Sequence, residues 1–310
     1  MIVVLEPGAL TSVQTAGGRP GWRHLGVPVG GAVDPWSARL ANRLVGNPDD
    51  AALIEVTHFG PTLRFEAAAD VAIVGGAFTA TLNGLPVPRA TGRHVRPGAT
   101  LRIGTGSGAR CYVALSGGIQ VAPVLGSAAT DLRSGFGGHD GRALRAGDRL
   151  AIGGIAGVLR RGRDESPSAT IRIVPGPHGE ATQLVGAAWT VSGMADRTGA
   201  RLEGEPIRLE PSEVQSMALP AGAIQVPPDG LPIVMLADRP VTGGYPVPAC
   251  VIGADLGAAA QLRPGDEVQF ELISIDLARQ LLVDREELLA ATEDLDGLTG
   301  DEPGWAGALE

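Results

Sequence analysis

The sequence has 310 residues, 44% hydrophobic and 19% charged, with a formal net charge of −9. This composition supports a packed core and argues against disorder, and the acidic balance, with no basic stripe carrying interleaved aromatics, argues against a nucleic-acid partner. No apolar run reaches the roughly eighteen residues a membrane span needs, and MIVVLEPGAL at the start has no basic flank or cleavage site, so a cytoplasmic protein without membrane contact is expected.

The first clear element is a helix over 35–45, PWSARLANRLV. Asp34 is its cap, Pro35 suits the first helical position and Gly46 closes the end. Trp36, Leu40 and Leu44 share one stripe at helical spacing. Strands follow at 71–74, 99–103 and 110–115, with turn signals at Asn83-Gly84 and Pro97-Gly98. GTGSGA (104–109) has dinucleotide-motif spacing, but a strand follows it instead of a helix, so a hairpin turn is expected there. Further strands are expected at 170–174, 231–236 and 267–273, then an amphipathic acidic helix over 276–292 and a loose tail. Cys111 and Cys250 lie in apolar, strand-like runs and read as buried free thiols. The five histidines show no metal-ligand spacing, so no metal site is expected, and no G-x-S-x-G motif is present.

The chain repeats itself. SGGIQVAPVLGS (116–127) resembles TGGYPVPACVIGA (242–254), LRAGDRL (144–150) resembles LRPGDEV (262–268), and GPTLRF (60–65) echoes GEPIRL (204–209). Two related β halves are expected, 1–160 and 168–275, joined by the polar stretch 160–169 and followed by an acidic helix and tail, 276–310.

All 25 basic side chains other than histidine are arginine; the sequence contains no lysine. A Schiff-base lysine, a P-loop lysine and a biotin-bearing lysine are therefore excluded from this sequence. A phosphate must be met by arginine, by backbone N–H groups or by another chain.

Longer strings carry a family resemblance. VQTAGGRPGWRHLGVPVGGAVDPWSARLANRLVGNP (13–48), EVTHFGPTLRF (55–65), LSGGIQVAPVLGS (115–127) and GAIQVPPDGLPIVMLADRPVTGGYP (222–246) resemble the family of the 5-oxoprolinase C-subunit, KipI antagonist and allophanate hydrolase subunit 2. The same module is similar to half of the carboxyltransferase domain of urea carboxylase. The resemblance implies a mostly β fold, a duplicated cyclophilin-like β-barrel with few helices. It implies two partner proteins, one KipI-like and one of the lactam-utilisation type. It implies ATP-dependent opening of 5-oxoproline to glutamate, with ATP as co-substrate at an unassigned site. The alternatives it carries are biotin-dependent carboxyl transfer to urea or a related amide, with biotin supplied on another chain, and a non-enzymatic KipI antagonist. Two departures stand out. Thr15 takes a place that is often acidic in the family, with an extra glycine at 17–18. The family's S-N-R-M-G reads Ala195-Asp196-Arg197-Thr198-Gly199 here.

Amide chemistry needs groups that stabilise a developing oxyanion and groups that move protons. The loop ADRPVTGGYP (237–246) offers Asp238 and Arg239 as catalytic candidates, with Thr242, Gly243, Gly244 and Tyr245 as substrate contacts. The loop GRPGWRHLG (18–26) offers His24 as a proton carrier and Arg19 as an anion contact. Arg197 is a candidate bidentate carboxylate clamp, and Gln225 a further lining residue. Asp34 is expected chiefly as a helix cap, contributing about 1 kcal/mol.

Overall fold

Short apolar strands separated by glycine and proline turns assemble, in a computed structural model, into two β systems joined along one seam. The structure describes residues 1–154, 157–163, 170–178, 180–210 and 213–295. Most of the expected 160–169 linker and most of the expected tail fall outside them.

The strands up to residue 150 form two sheets. One has six strands, in the order Arg149–Leu150, Ile2–Glu6, Thr62–Phe65, Thr100–Ile103, Ala80–Leu82, Leu85–Pro86. The other has five, in the order Leu10–Gln14, Leu53–Phe59, Thr105–Leu115, Ala69–Val74, Arg93–Val95. Their inner faces share one core that includes Val4, Leu63, Leu101, Ile54, Ile73 and Val113.

Seven of the strands from residue 170 onward close into a barrel. Its order is Thr170–Pro175, Ala249–Val251, Ala223–Gln225, Ile233–Met235, Gly199–Glu203, Trp189–Val191, Glu267–Leu272. Trp189, Ile173, Ile224 and Val268 are among the side chains that fill it. The fold class expected from the sequence is borne out: the chain is mostly β, with two β systems and few helices.

Helix α1 (Pro35–Leu44) explains an odd feature of the sequence, the uninterrupted apolar runs at 71–74 and 110–115. Side chains alternate across a strand. Val71, Ile73, Cys111 and Val113 face the shared core, while Ala72, Val74, Tyr112 and Ala114 face the cluster built on Trp36, Leu40 and Leu44. A sheet covered on both faces needs no polar positions. Asp34 caps the helix as expected, its Oδ1 accepting from Ser37 N at 3.1 Å and its Oδ2 from Ser37 Oγ at 2.6 Å.

Two more helices follow among the described residues, α2 (Leu256–Ala260) and α3 (Ile275–Ala290). Ser274 caps α3. α3 returns to α1: Arg39 grips Glu286 at 2.6 and 2.8 Å, and the Arg285 guanidinium stacks 4.5 Å over the Trp36 ring. Leu289 is fully buried in the α1 cluster.

One repeat noticed in the sequence has a hydrogen-bonded counterpart. In LRAGDRL and LRPGDEV, Gly147 and Gly265 sit at φ +91° and +88°, the position where a type II turn requires φ above zero. Each turn then makes the same bonds. Gly147 N donates to Val4 O (2.8 Å) and Val4 N to Asp148 O (2.9 Å); Gly265 N donates to Val191 O (2.8 Å) and Val191 N to Asp266 O (2.9 Å). Arg145 N and Arg263 N donate to the carboxylates of Asp148 and Asp266, at 2.7 and 2.8 Å. The GPTLRF/GEPIRL match has no such counterpart: Thr62–Phe65 is a strand, and 204–209 lies in none.

The hairpin expected at 104–109 is corrected. Thr105 already belongs to the strand Thr105–Leu115, which pairs with Leu53–Phe59 and not with the preceding Thr100–Ile103. The register against Leu53–Phe59 shifts between Thr105 and Arg110, so the glycines mark a bulge. They are needed for close approach: a Cβ at Gly106 would lie 2.2 Å from Gly76 O, and one at Gly108 2.5 Å from the Gln261 side chain. Asn83-Gly84 is a two-residue hairpin turn as expected, with φ of +51° and +84°. Neither cysteine is in a disulfide; Cys111 is buried and Cys250 half-buried.

Candidate functional site

Polar side chains concentrate where the two β systems meet. The first contributes Glu55 and Tyr112, cross-strand neighbours in register on the α1 side of their sheet. Tyr112 Oη donates to Glu55 Oε2 at 2.9 Å, and Val33 N donates to the same oxygen at 2.9 Å. Asp34 N donates to Tyr112 Oη at 2.7 Å. Burial and the neighbouring Glu55 raise the Tyr112 pKa well above its ordinary value, so the phenol stays protonated and can donate.

The second system answers with Arg197. Its Nη1 donates to Glu55 Oε1. Its Nε and Nη2 reach Asp238 at 2.8 and 3.0 Å, and Nη2 also donates to Gly31 O at 2.7 Å. Gln261 makes a second crossing. Its Nε2 donates to Asp34 Oδ2 at 3.1 Å, and Arg110 N donates to its Oε1 at 2.9 Å. Arg197, Glu55, Asp34, Arg110 and Gln261 are each at most 5% exposed. Buried charges persist when they are paired and hydrogen-bonded, and this network meets that condition.

Arg197 was expected as a clamp for a substrate carboxylate. It is a clamp, but the carboxylates are the protein's own, one from each side of the seam. Arg19 has a similar outcome. It is 1% exposed, its Nε and Nη2 donate to Val124 O (2.9 Å) and Ala129 O (2.7 Å), and its guanidinium stacks 4.7 Å from the Phe136 ring centre. That geometry makes Arg19 the anchor of the neighbouring loop rather than an open anion contact. Gln225 is also buried, its Nε2 3.4 Å from Tyr245 O.

The two loops singled out in the sequence do converge. Arg23 Nη2 donates to Leu219 O (2.9 Å) and Val241 O (3.1 Å), and Arg239 Nε donates to the same Leu219 O at 2.9 Å. Burial, then the nearby Arg23 charge, lowers the Arg239 pKa. Asp238 lies against Gly30, four residues beyond the first loop; a Cβ on Gly30 would sit 3.5 Å from its Oδ1. Thr242–Gly243 pairs with Met217–Ala218, and Thr242 and Tyr245 are exposed. Gly243 is small because the Gln225 amide packs on it, 2.5 Å from a Cβ position. Gly244 lies beside it, half-buried. His24 is exposed, and its Nδ1 contacts Gly21 O at 3.0 Å, a bond within its own loop. The residue of that loop that reaches the other half is therefore Arg23, its neighbour.

Behind Arg197 the seam opens into a cavity of about 190 Å³ lined by Thr57, His58, Arg110, Asp196 and Leu236, among others. Glu55, Tyr112, Arg110 and Arg23 escaped the sequence reading. A signal existed for the first three: a glutamate, a tyrosine and an arginine interrupt or border otherwise apolar strands. Among the described residues, no three histidine, cysteine or acidic side chains are grouped to hold a metal ion, and no helix is long and apolar enough to cross a membrane.

Comparison with known proteins places this arrangement. The chain is 35% identical over 292 residues to the C-subunit of the Haemophilus influenzae 5-oxoprolinase, covering 91% of this chain and 94% of that protein. It superposes on the crystal structure of the K. lactis urea amidolyase with a TM-score of 0.86 at 31% identity, covering 93% of this chain and 20% of that one. For the Kluyveromyces lactis urea carboxylase the TM-score is 0.84 at 32% identity, covering 93% and 29%. The chain thus spans nearly all of the first relative and less than a third of the two solved chains. With the model of the carboxyltransferase domain, subdomain A and B, matching residues 25–272, the chain belongs to that family.

Proposed function

We propose that this chain is the C-subunit of an ATP-dependent 5-oxoprolinase, which opens 5-oxoproline to L-glutamate together with two partners, a KipI-like protein and a lactam-utilisation protein. The observation that carries the reading is the reach of the match: it covers 94% of a relative bearing that name, not a segment of a larger enzyme. The seam supports it. The loops 18–26 and 237–246 meet there, with Arg23 and Arg239 supplying positive charge where a ring-opening amide would develop an oxyanion. Asp238, fixed by Arg197, sets the position of its loop.

ATP fits poorly on this chain by itself. A helix N-terminus is the usual backbone site for phosphate. Each of the three α-helices among the described residues has an aspartate at its N-cap (Asp34, Asp255) or in its first turn (Asp276), which repels an anion. With no lysine in the sequence either, we assign the nucleotide to the partner proteins. Reconstituting the chain with both partners should release glutamate and ADP from 5-oxoproline and ATP in step. Absence of glutamate from a correctly assembled complex would refute the assignment.

Carboxyl transfer to urea or a related amide is the second reading, favoured by the superposition on urea amidolyase and urea carboxylase. Biotin finds no attachment point in this sequence, so its carrier must be another chain. Carboxylation of urea by the chain with a biotinylated carrier, and no glutamate release, would select this reading.

A further inference from the structure

Several half-buried arginines of the chain sit on its own acids: Arg39 and Arg43 on Asp49, Arg142 on Asp148 and Arg172 on Asp255. Arg23 and Arg239, where the loops 18–26 and 237–246 meet, do not. Both are half-buried, and their bonds run to peptide oxygens. Arg23 Nη2 donates to Leu219 O at 2.9 Å and to Val241 O at 3.1 Å. Arg239 Nε donates to the same Leu219 O at 2.9 Å, and its Nη1 to Leu236 O at 3.1 Å. Two guanidiniums, one from each β system, thus converge on a single carbonyl. Asp238, next to Arg239 in the sequence, is taken by Arg197. Among the described residues, no carboxylate forms an ion pair with Arg23 or Arg239.

The carbonyls engage only part of each guanidinium. Arg23 Nε and Nη1 and Arg239 Nη2 bond to no described residue, and none of them is closed off from solvent. A small molecule can therefore reach donors on both arginines. Two cations held together without an acid repel each other, and burial adds to that cost. The Arg239 pKa carries both effects, lowered first by burial and then by the Arg23 charge. What the pair lacks is a counter-ion. A planar guanidinium matches a planar carboxylate, with two parallel bonds available to each fork. Peptide oxygens already draw on the pair, so the field that remains suits one negative charge better than the greater charge of a phosphate.

We infer that Arg23 and Arg239 together form a binding site for a small molecule carrying one carboxylate, with Arg23 Nε and Nη1 and Arg239 Nη2 as its donors. Identifying that molecule with 5-oxoproline rests on the function proposed above; the carboxylate site does not. In 5-oxoproline the carboxyl-bearing carbon and the amide carbonyl flank one ring nitrogen. A ring seated by its carboxylate therefore keeps the amide in the field of the same two cations, where its oxyanion would develop.

Calorimetric titration of the purified full chain tests both parts. The probes are 5-oxoproline, 2-pyrrolidinone (the same ring without the carboxylate), acetate and inorganic phosphate. 5-Oxoproline should bind at least about tenfold more tightly than 2-pyrrolidinone, the size expected of one charge-assisted hydrogen bond. Arg23→Gln and Arg239→Gln should each remove that advantage, and either variant serves if the other does not fold. Binding of acetate without binding of 5-oxoproline would keep the carboxylate site and remove the lactam as its ligand. Tight 5-oxoproline binding by a chain whose complete complex releases no glutamate would keep the site and overturn the proposed function instead. If neither carboxylate binds at millimolar concentration, if phosphate binds more tightly than both, or if a folded variant binds as the parent chain does, the inference is wrong.

Discussion

The two β systems carry the same type II turn yet close in different ways. The first is a pair of sheets around one core, with a second core under α1; the second is a sealed barrel. Their contributions to the seam differ accordingly. The first sends side chains from the middle of strands, Glu55, Tyr112 and Arg110, whereas the second sends Arg197, Asp238 and Gln261 from loops and from the turn after α2. A strand fixes a side chain firmly and a loop does so only when something grips it, so the second system depends on the first for the order of its loops. Either system alone would hold unpaired charges.

Removing the grip should have the largest effect. Arg197→Met leaves two carboxylates without their cation, and breaking a buried pair in this way costs about 3–5 kcal/mol. Urea denaturation should show that loss, and a further Glu55→Gln in the same chain should recover part of it. The caps come next. Asp34 serves both α1 and the Gln261 crossing, whereas Ser274 serves α3 alone. Asp34→Ala should cost about 2 kcal/mol and Ser274→Ala about 1 kcal/mol in the same assay.

The smallest effect sharpens the comparison of the twin turns. Arg142 makes a bidentate bond to Asp148 at 2.8 and 2.9 Å, while Arg263 stands 3.8 Å from Asp266. The Arg142 bond holds the Asp148 carboxyl at about 2 against an ordinary 3.8. A carboxyl depressed by folding contributes stability above its ordinary value and loses it as pH falls from there toward the depressed one. Asp148→Asn should therefore destabilise the chain by about 1 kcal/mol at pH 7, with the gap to the parent closing between about pH 4 and 2. Asp266→Asn should cost less, as urea midpoints across that pH range will show.

Local features were legible in the sequence because their causes are local. Asp34 and Pro35 announce α1, Asn83-Gly84 its hairpin, and the two Gly-Asp turns the duplication. GTGSGA misled because glycine permits both a tight turn and a close approach, and Gly76, Phe78 and Gln261, which decide the matter, lie far away in sequence. Arg19 and Arg197 were visible as guanidiniums, but the groups that engage them come from distant segments. The same holds for the cavity: Thr57, Arg110, Asp196 and Leu236 become neighbours only when the systems meet.

The strap that α3 lays across α1 bears on how the chain is made. Segments generally fold as they leave the ribosome, N-terminal part first. Here Trp36, Arg39 and Arg43 stay uncovered until residues 285–289 have been synthesised. The early portion of the nascent polypeptide therefore travels with an unfinished flank, and its maturation waits on a helix translated some 240 codons later.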